Sequence, residues 1–549
     1  MKIGNLHLEI QKHRQNCYGL LRTTYWDKKE KKTKHSSCGR ITGVDYDKLK
    51  LIQAVLRGEA KLIGDADIPK VTCSKEYGAS FAVLQLAKEL QLDKAIYSKN
   101  NLQWVKDSLA MIVGRLVYAG SKLSLSNRYK DTSLWEQCGI DGKVDVDEHC
   151  YASMDKLLSR QRAIQQELAK KHLGSKTLVL YDITSSYFEG EYSESDLVKY
   201  GYNRDHKKGY EQVVIGLVCN SEGCPIGVET FPGNTKDETT VVNKIGEVKR
   251  TYGVKELVFV GDRGMITKSN LEKLNNIEGL KTISALTHPQ IKDLLTRKVV
   301  QMDLFDEKNI VEIVDPEDIT KRYCLCKNPA SAGRETNTRK ALLKKTTDEL
   351  TKIESSKRKA TVEKISARVG KLLDKTKMGK FITWNVENNK LNWSLNQDIL
   401  DSEILMDGCY IIVSDVPAEQ MQSQELVASY KKLTLVEQAF RNLKTVQLEV
   451  RPVYHKTDTR IRCHIFICML AYYLQWHMAK RLQPLFQSNG KYKARFWTFE
   501  NVIERLKSIR QEEILIAGAK CKIITELDND QSQIMKLLRI KISSHKQEN

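Results

Sequence analysis

Hydrophobic patterning changes abruptly at Thr177, and this change constrains the fold more than any other feature of the chain. Residues 17–43 alternate between apolar and polar as two strands of a hairpin, and from about 45 to 172 apolar residues recur every three to four positions, which is typical of amphipathic helices. After Thr177, short apolar runs indicate strands, and one amphipathic stretch indicates a helix. The order is three strands, a helix and a further strand, over 178–183, 212–219, 225–231, 238–251 and 257–261. This order predicts an α/β fold.

Two aspartates close apolar strands of this region. Asp182 lies in TLVLYDITSSYF, and Asp262 lies in ELVFVGDRGM. A carboxylate at the end of a buried strand costs desolvation free energy unless a cation or hydrogen bonds compensate it. Each aspartate alone is also explained as a cap of the following turn, a role that Asp196 and Asp415 would fill equally well.

A third acid, Glu437, lies in the segment YKKLTLVEQAFRNLK. Tyr430, Glu437, Arg441 and Lys444 share one face of a helix with 3.6 residues per turn. A neighbouring apolar stripe comprises Leu433, Val436, Phe440 and Leu443. The helix is therefore expected to pack on one side and to present acid, base and phenol on the other. Three carboxylates in these contexts predict a site for magnesium, which prefers oxygen ligands.

At these residues the chain resembles the DDE insertion-sequence transposases, in the branch with a Tyr-x2-Arg-x3-Glu-x6-Lys signature. The four signature positions here hold Tyr430, Leu433, Glu437 and Lys444, so leucine replaces the arginine. The resemblance covers about residues 175–480. It includes Pro232-Gly233-Asn234-Thr235 and Asp262-Arg263-Gly264. Lys431, Lys432 and Arg441 are candidates for the missing charge, although a lysine lacks the guanidinium fork.

The resemblance implies a ribonuclease H-like mixed-sheet core in which the first and fourth strands are neighbours. Strands in a sheet lie about 4.8 Å apart, so acids at their ends can share two ions, Mg²⁺ or Mn²⁺. Asp182, Asp262 and Glu437 are then the catalytic and metal-binding residues. The implied partners are double-stranded DNA, at the element's terminal inverted repeats and at the target. The implied reaction cleaves the element end and transfers the freed 3′-hydroxyl, and a hairpin on the element end is one route that the resemblance allows.

Basic and aromatic residues near the acids are the candidates for contacting DNA. They are Tyr430, Lys444, Arg441, Lys432, Arg263, Lys207, Lys208, Arg460 and Arg462. The segment KYGYNRDHKKGYEQ interleaves tyrosines with bases, which suits phosphate binding and base stacking. A solvated hairpin tip explains that segment as well, and Arg462 also fits a position flanking a buried helix.

The composition agrees with a nucleic-acid partner. Lysine and arginine outnumber aspartate and glutamate by 89 to 69, which gives a net charge of +20 and favours a polyanionic ligand. The longest apolar stretch, 465–474, is too short to span a bilayer. The thirteen cysteines form no Cys-x2-Cys pairs, which indicates reduced core thiols. We expect a cytoplasmic protein, and the resemblance implies a prokaryotic, nucleoid-associated one.

The chain is long enough for several domains. The expected architecture has a mostly helical N-terminal region and an α+β insertion that separates Asp262 from Glu437. The helical region would bind DNA ends or only support the core, and the insertion carries Val362, Ile365, Val369 and Leu372 at coiled-coil spacing. The predicted segments are a β-hairpin region at 1–44, the helical domain at 45–172, the catalytic core at 173–290 and 405–485, the insertion at 291–404, and a basic tail region at 486–549.

Two other classes of protein fit the same residues. A ribonuclease H-like nuclease would use the acids only for hydrolysis, without strand transfer. A catalytically silent, transposase-derived protein would bind DNA through the basic surface alone. Synapsis of two DNA ends, as in the transposase interpretation, needs at least a homodimer.

Overall fold

The chain divides into two compact units. The computed structural model describes residues 6–13, 16–27, 30–59, 69–174, 176–202, 209–235, 251, 254–263, 274, 277–305, 310–316, 318–356, 360–444, 448, 450–451, 453–487, 497–516 and 519–542. Unit 1 comprises 1–174, 183–235 and 435–549, and unit 2 comprises 175–182 and 236–434.

Sixteen strands occur in the described part of the chain. They are β1 (His7–His13), β2 (Asn16–Asp27), β3 (Lys32–Thr42), β4 (Lys70–Glu76), β5 (Lys176–Tyr187), β6 (Gln212–Asn220), β7 (Pro225–Pro232), β8 (Glu256–Gly261), β9 (Leu280–Ala285), β10 (Val311–Asp315), β11 (Asp318–Lys327), β12 (Ile382–Glu387), β13 (Lys390–Leu395), β14 (Cys409–Ser414), β15 (Arg510–Ile516) and β16 (Ala519–Ile524).

The α-helices are numbered along the same described residues. They are α1 (Tyr46–Leu56), α2 (Gly78–Glu89), α3 (Leu92–Ile96), α4 (Gln103–Tyr118), α5 (Lys122–Asn127), α6 (Leu134–Gln137), α7 (Ala152–Ser159), α8 (Gln161–His172), α9 (His288–Thr296), α10 (Pro329–Glu354), α11 (Val362–Thr376), α12 (Gln397–Leu405), α13 (Ser423–Lys431), α14 (Leu433–Lys444), α15 (Asp458–Gln487), α16 (Phe499–Lys507) and α17 (Asn529–Leu538). Several begin at side-chain caps. Capping boxes, for example, start α9 at Thr287 and α17 at Asp528.

Unit 1 contains an antiparallel sheet built from both ends of the chain. Its strand order is β1-β2-β3-β16-β15-β4. Leu8, Ile41 and Ala519 are buried in its core together with Leu49 of α1. The hairpin predicted from the N-terminal alternation corresponds to β2 and β3, which pair antiparallel. Residues 486–549, predicted as a basic tail, contain α16, β15, β16 and α17 in their described part.

The core of unit 1 surrounds α15, a helix of 30 residues. Most of its side chains from Ile461 to Gln475 are buried, because α4, α7 and β7 pack against it. A helix that is apolar on nearly all sides is stable only when it is enclosed in this way. No helix in the described ranges is both long and apolar enough to cross a membrane.

Unit 2 is a mixed sheet flanked by helices. β8 pairs in parallel with the first half of β5 and with β9. The strands β14, β11 and β10 follow β9 in antiparallel order. The predicted α/β class is confirmed by this mixed α/β structure. The helix predicted over 238–251 lies outside the described residues, apart from Thr251.

The predicted insertion supplies strands as well as helices. β10 and β11 extend the sheet of unit 2, whereas α10, α11 and the β12–β13 hairpin enclose a separate small core. The prediction of a coiled-coil stripe was partly wrong, because Val362 is exposed and Leu372 is only partly buried. The buried positions of α11 are Ile365, Val369, Leu373 and Thr376. Their spacing follows the 3.6-residue period of a packed helix rather than a heptad repeat.

A half-buried carboxylate joins two elements of unit 2. Burial raises the pKa of Glu403, but hydrogen bonds from Lys292 and Lys380, each 2.7 Å long, outweigh burial and lower the pKa to about 2. Because the folded pKa lies below the ordinary value of 4.5, this stabilisation is fully present above pH 4.5 and is lost as pH falls toward 2.

Glu403→Gln is therefore expected to destabilise unit 2 near neutral pH. Because both lysines are partly exposed, solvent screens their interaction with Glu403. We therefore expect the free energy of unfolding to fall by about 1 kcal/mol. Thermal unfolding of both proteins from pH 7 to pH 3 tests this, and the difference should shrink below pH 4.5. Glu419→Gln, at an exposed position, is the matched control. A difference that stays constant with pH would contradict the ionic explanation.

Candidate active site

Asp182 and Asp262 occupy equivalent positions on neighbouring parallel strands of unit 2. The pairing of β5 with β8 ends at Tyr181 and Gly261, which are partners in the register. Asp182 and Asp262 are the next residues along the chain. Because adjacent strands lie about 4.8 Å apart, the two carboxylates start from neighbouring backbone positions. The expected adjacency of the first and fourth strands of this region is thus observed.

The surroundings of the two aspartates differ from the sequence expectation. Asp182 is half-buried and lies inside β5, which continues to Tyr187, so it marks the end of the parallel pairing rather than the end of the strand. Asp262 follows the last residue of β8 and is exposed. The desolvation argument therefore applies to Asp182 and not to Asp262. An exposed carboxylate needs no cation for compensation, but it is accessible to one.

Tyr430, the first residue of the signature, contacts the second aspartate. Burial raises the pKa of the Tyr430 phenol to about 12, and the neighbouring Asp262 carboxylate adds to this rise. Arg263 acts in the opposite direction, and both Asp262 and Arg263 hydrogen-bond the phenol. The fold thus brings together three residues that the sequence analysis selected from segments almost 170 positions apart. The high pKa keeps the phenol protonated over the ordinary pH range.

Tyr410 is an additional neighbour that the sequence analysis missed. It lies in β14 of unit 2, where burial raises the pKa of its phenol and it interacts electrostatically with Tyr430 and Arg263. β14 pairs antiparallel with β9, and this long-range pairing places the strand of Tyr410 in the same sheet as β8, which precedes Asp262. No local motif around Tyr410 indicated this proximity.

Asp415 has the structural role that its position after a strand suggested. It follows β14 directly, and its Oδ1 accepts hydrogen bonds from the backbone N of Thr282, at 2.5 Å, and from the Thr282 hydroxyl, at 3.1 Å. Lys281 lies 3.8 Å from its other oxygen. This carboxylate therefore anchors the end of β14 to β9.

Glu437 lies on α14 in unit 1, with its side chain exposed. The predicted apolar stripe is confirmed. Its members are all buried: Leu433, Val436, Phe440 and Leu443. Arg441 is exposed and Lys444 is half-buried. The helix therefore packs through one face and presents Glu437 on the other.

The single helix expected from Tyr430 to Lys444 is interrupted. α13 ends at Lys431, and α14 begins at Leu433 after a turn at Lys432. The backbone N–H of Lys432 is shared between the carbonyls of Ala428 and Ser429, a pattern that is common at helix ends. The segment contains neither glycine nor proline, so the break has no sequence signal. Tyr430 and Glu437 therefore do not share one continuous helical face.

Two of the residues predicted to contact DNA interact with other residues of unit 1. Arg462 donates from Nη1 to the carbonyl oxygen of Thr230 at 2.5 Å, and Arg460 stacks over the ring of Tyr151 at 4.5 Å. Lys432 and Arg263 are exposed. Lys207 and Lys208 lie outside the described residues. The nearby Tyr200 and Tyr202 are exposed by 67% and 79%, which leaves their rings accessible.

Gly233, in the Pro-Gly-Asn-Thr motif of unit 1, occupies a position that only glycine fits. A Cβ atom there would lie 2.0 Å from the carbonyl oxygen of Gln212 and 2.4 Å from that of Lys199. The side chain of Gln212 also donates from Nε2 to the Gly233 carbonyl at 2.8 Å. The absence of a side chain at Gly233 therefore allows the motif to pack closely against Lys199 and the start of β6.

Tyr430→Phe is expected to lower the rate of DNA cleavage about 10-fold while leaving DNA binding unchanged. The variant removes the hydrogen bonds to Asp262 and Arg263 but keeps the ring, and such bonds to charged groups contribute about 1.5–3 kcal/mol. Single-turnover cleavage and gel-shift assays measure the two effects. Tyr454→Phe, at an exposed position, is the control. Equal rates for the wild type and Tyr430→Phe would show that the phenol does not support the carboxylate.

Comparison with models of known protein families identifies a match to one family. The profile of the family described as "Transposase DDE domain" matches residues 174–474, more than half of the chain. A search of curated proteins found no match. Among solved structures, the chain is similar to a piggyBac transposase in a synaptic complex with hairpin DNA, at 8% identity and a TM-score of 0.35, over 80% of this chain and 81% of that one.

The family match assigns the chain to the DDE transposases, a class of enzymes that act on DNA. The chain belongs to the family of the transposase DDE domain. This family normally uses a divalent metal. The donors present fit such an ion, because Asp182 and Asp262 offer carboxylate oxygens from adjacent strands and Asp262 is open to solvent.

Proposed function

We propose that this protein is a transposase that cleaves DNA at the ends of an insertion sequence and joins the freed 3′-hydroxyl to target DNA. The observation that supports the proposal is the register of β5 and β8, in which Tyr181 pairs with Gly261, the residues just before Asp182 and Asp262. Parallel pairing of β8 with both β5 and β9, and antiparallel pairing of β6 with β7, supports a ribonuclease H-like core.

In this proposal Asp182, Asp262 and Glu437 would hold the divalent metal, which is Mg²⁺ or Mn²⁺. We expect two ions in the site. The metal supplies Lewis acidity and charge neutralisation for attack on a phosphodiester. Tyr430 orients the Asp262 carboxylate, and it does so as a neutral phenol because its pKa is about 12. It therefore serves as a hydrogen-bond donor and not as a base.

Arg263 is proposed to supply the guanidinium that the family signature places at position 433. Leu433 is buried in the apolar stripe of α14, so no charge is available there. Arg263 is exposed beside the second acid and hydrogen-bonds Tyr430. A guanidinium in this position can bind phosphate oxygens in a bidentate manner, which the neighbouring Lys432 cannot do.

The partner in this proposal is double-stranded DNA, both at the element's inverted repeats and at the target. The net charge of +20 favours a polyanion, and the exposed Lys432 and Arg441 are candidates to contact its backbone. The accessible rings of Tyr200 and Tyr202 suit stacking on unpaired bases. Holding two ends for a joint reaction requires two active sites, so we propose a homodimer in the complex with DNA.

Labelled DNA that spans an element end and its flank provides the test. We expect Mg²⁺-dependent cleavage at the junction by the wild type, and joining of the 3′ end to a target plasmid. Asp182→Ala should bind the same DNA without cutting it. Cleavage without preference for the junction would favour a general nuclease. Binding without cleavage in Mg²⁺ and in Mn²⁺ would favour a silent DNA-binding protein.

A further inference from the structure

Three metal-ligating side chains converge in unit 1, outside the carboxylate site. They are His172 at the end of α8, Cys224 in the turn between β6 and β7, and His477 in α15. One ligand atom from each lies within 4.8 Å of the other two. The residues come from three distant parts of the chain, so no Cys-x2-Cys or His-x3-His spacing in the sequence predicts the cluster.

The separations fit a bound ion after a small contraction. The Cys224 Sγ atom lies 3.9 Å from Nε2 of His477. For three atoms at most 4.8 Å apart, a point exists within about 2.8 Å of each, whereas zinc binds nitrogen at about 2.0–2.1 Å and sulfur at about 2.3 Å. Side-chain shifts of at most about 0.8 Å therefore complete the site.

The two imidazoles are held in the neutral form that binds metals. Burial lowers the pKa of His477 to about 3, and nearby His172 and Arg481 contribute to this effect. Burial also lowers the pKa of His172, and it raises the pKa of the Cys224 thiol, so zinc must displace the thiol proton to bind. A ring that carries no proton on one nitrogen can donate that lone pair to a metal without first losing a proton.

Tyr473 fixes the orientation of both histidines. Its hydroxyl lies 2.9 Å from Nε2 of His172, and its ring packs edge-on against His477 with centroids 4.6 Å apart. Contacts of this kind around metal-binding histidines set the ring orientation and strengthen binding. At the rim, Lys480 pairs with Glu222 at 2.6 Å. The cluster is thus supported on the same helix that forms the core of unit 1.

We propose that His172, Cys224 and His477 bind Zn²⁺, with water in the fourth position of a tetrahedral site. One thiolate and two imidazoles match the ligand preference of zinc, whereas magnesium and manganese prefer oxygen donors. The site is chemically distinct from the carboxylates. It ties the end of α8, the β6–β7 turn and α15 together within unit 1, so its role is to stabilise that unit.

A thiol–imidazole hydrogen bond in a dry core is the competing explanation, and the chain contains an internal example. The Cys468 Sγ atom lies 3.8 Å from Nε2 of His464, on the same helix α15. Within the described ranges this pair is not part of a three-ligand group. Cys468→Ser is therefore a matched control, because it also removes a buried thiol beside an imidazole.

The test uses the full-length protein, stripped with a chelator and dialysed against Zn²⁺ in the presence of excess Mg²⁺. We expect one tightly held zinc per chain and a rise of several degrees in the unfolding temperature with zinc. Replacing zinc by Co²⁺ should give the charge-transfer absorption of a thiolate ligand. Cys224→Ser and His477→Gln should lose the zinc and the temperature rise, whereas Cys468→Ser should keep both.

Two results would overturn the proposal. One is a cobalt-loaded protein without thiolate absorption, and the other is equal zinc content in the wild type and both site variants. If Cys224→Ser does not fold, His477→Gln decides the question, because that side chain is only half-buried. None of these measurements uses DNA, so they are independent of the proposed transposase activity.

Discussion

Asp262→Asn is expected to abolish metal-dependent DNA cleavage, with a fall in rate of roughly three orders of magnitude or more. The substitution keeps the size of the side chain and one acceptor oxygen but removes the negative charge that binds a divalent cation. Because Asp262 is exposed and follows the last residue of β8, the fold should tolerate the change. Single-turnover cleavage of end-containing DNA measures the effect, and gel-shift assays should show unchanged DNA affinity.

Asp415→Asn is the matched control for this prediction. Asp415 also follows a strand of unit 2, but its Oδ1 is occupied by the backbone N and the hydroxyl of Thr282. An asparagine oxygen can accept the same hydrogen bonds, so we expect cleavage to stay within a few-fold of the wild type. Comparable loss of cleavage in both variants would mean that strand-end carboxylates act through the stability of unit 2. The proposed role of Asp262 would then be wrong.

The parts of the site that the sequence predicted are those encoded by short-range patterns. The apolar runs before Asp182 and Asp262 predicted two strands, and the residues just before the two aspartates are partners in the register of β5 with β8. The 3.6-residue spacing around Glu437 predicted a one-sided helix, and the buried stripe of α14 confirms it. In both cases a local repeat reflects which face of an element is buried.

Long-range pairing accounts for most of what was missed. β15 and β16 pair with strands of the N-terminal region more than 400 residues away, and no local pattern records such a partner. Strand partners are chosen by tertiary contacts, so β-propensity alone cannot identify them. The same limit applies to Tyr410 beside Tyr430. It applies again to the His-Cys-His cluster, whose members are separated by 52 and 253 positions.

Glu437→Gln is expected to have the second large effect on catalysis, again a loss of roughly three orders of magnitude in cleavage rate. The Glu437 side chain is exposed on α14, beside the buried stripe that contains Val436 and Phe440, so the substitution should leave the packing of the helix intact. Thermal unfolding should therefore be unchanged. Cleavage of the same DNA in Mg²⁺ measures the loss.

Position and charge can be separated on this helix because Gln438 is also exposed. The double variant Glu437→Gln/Gln438→Glu restores the net charge but moves the carboxylate by about 100° around the helix axis. If Glu437 binds a metal ion, geometry decides and the double variant should be as inactive as Glu437→Gln. Recovery of cleavage in the double variant would show that the helix contributes only a diffuse negative charge. The three-carboxylate site would then reduce to the pair that β5 and β8 hold.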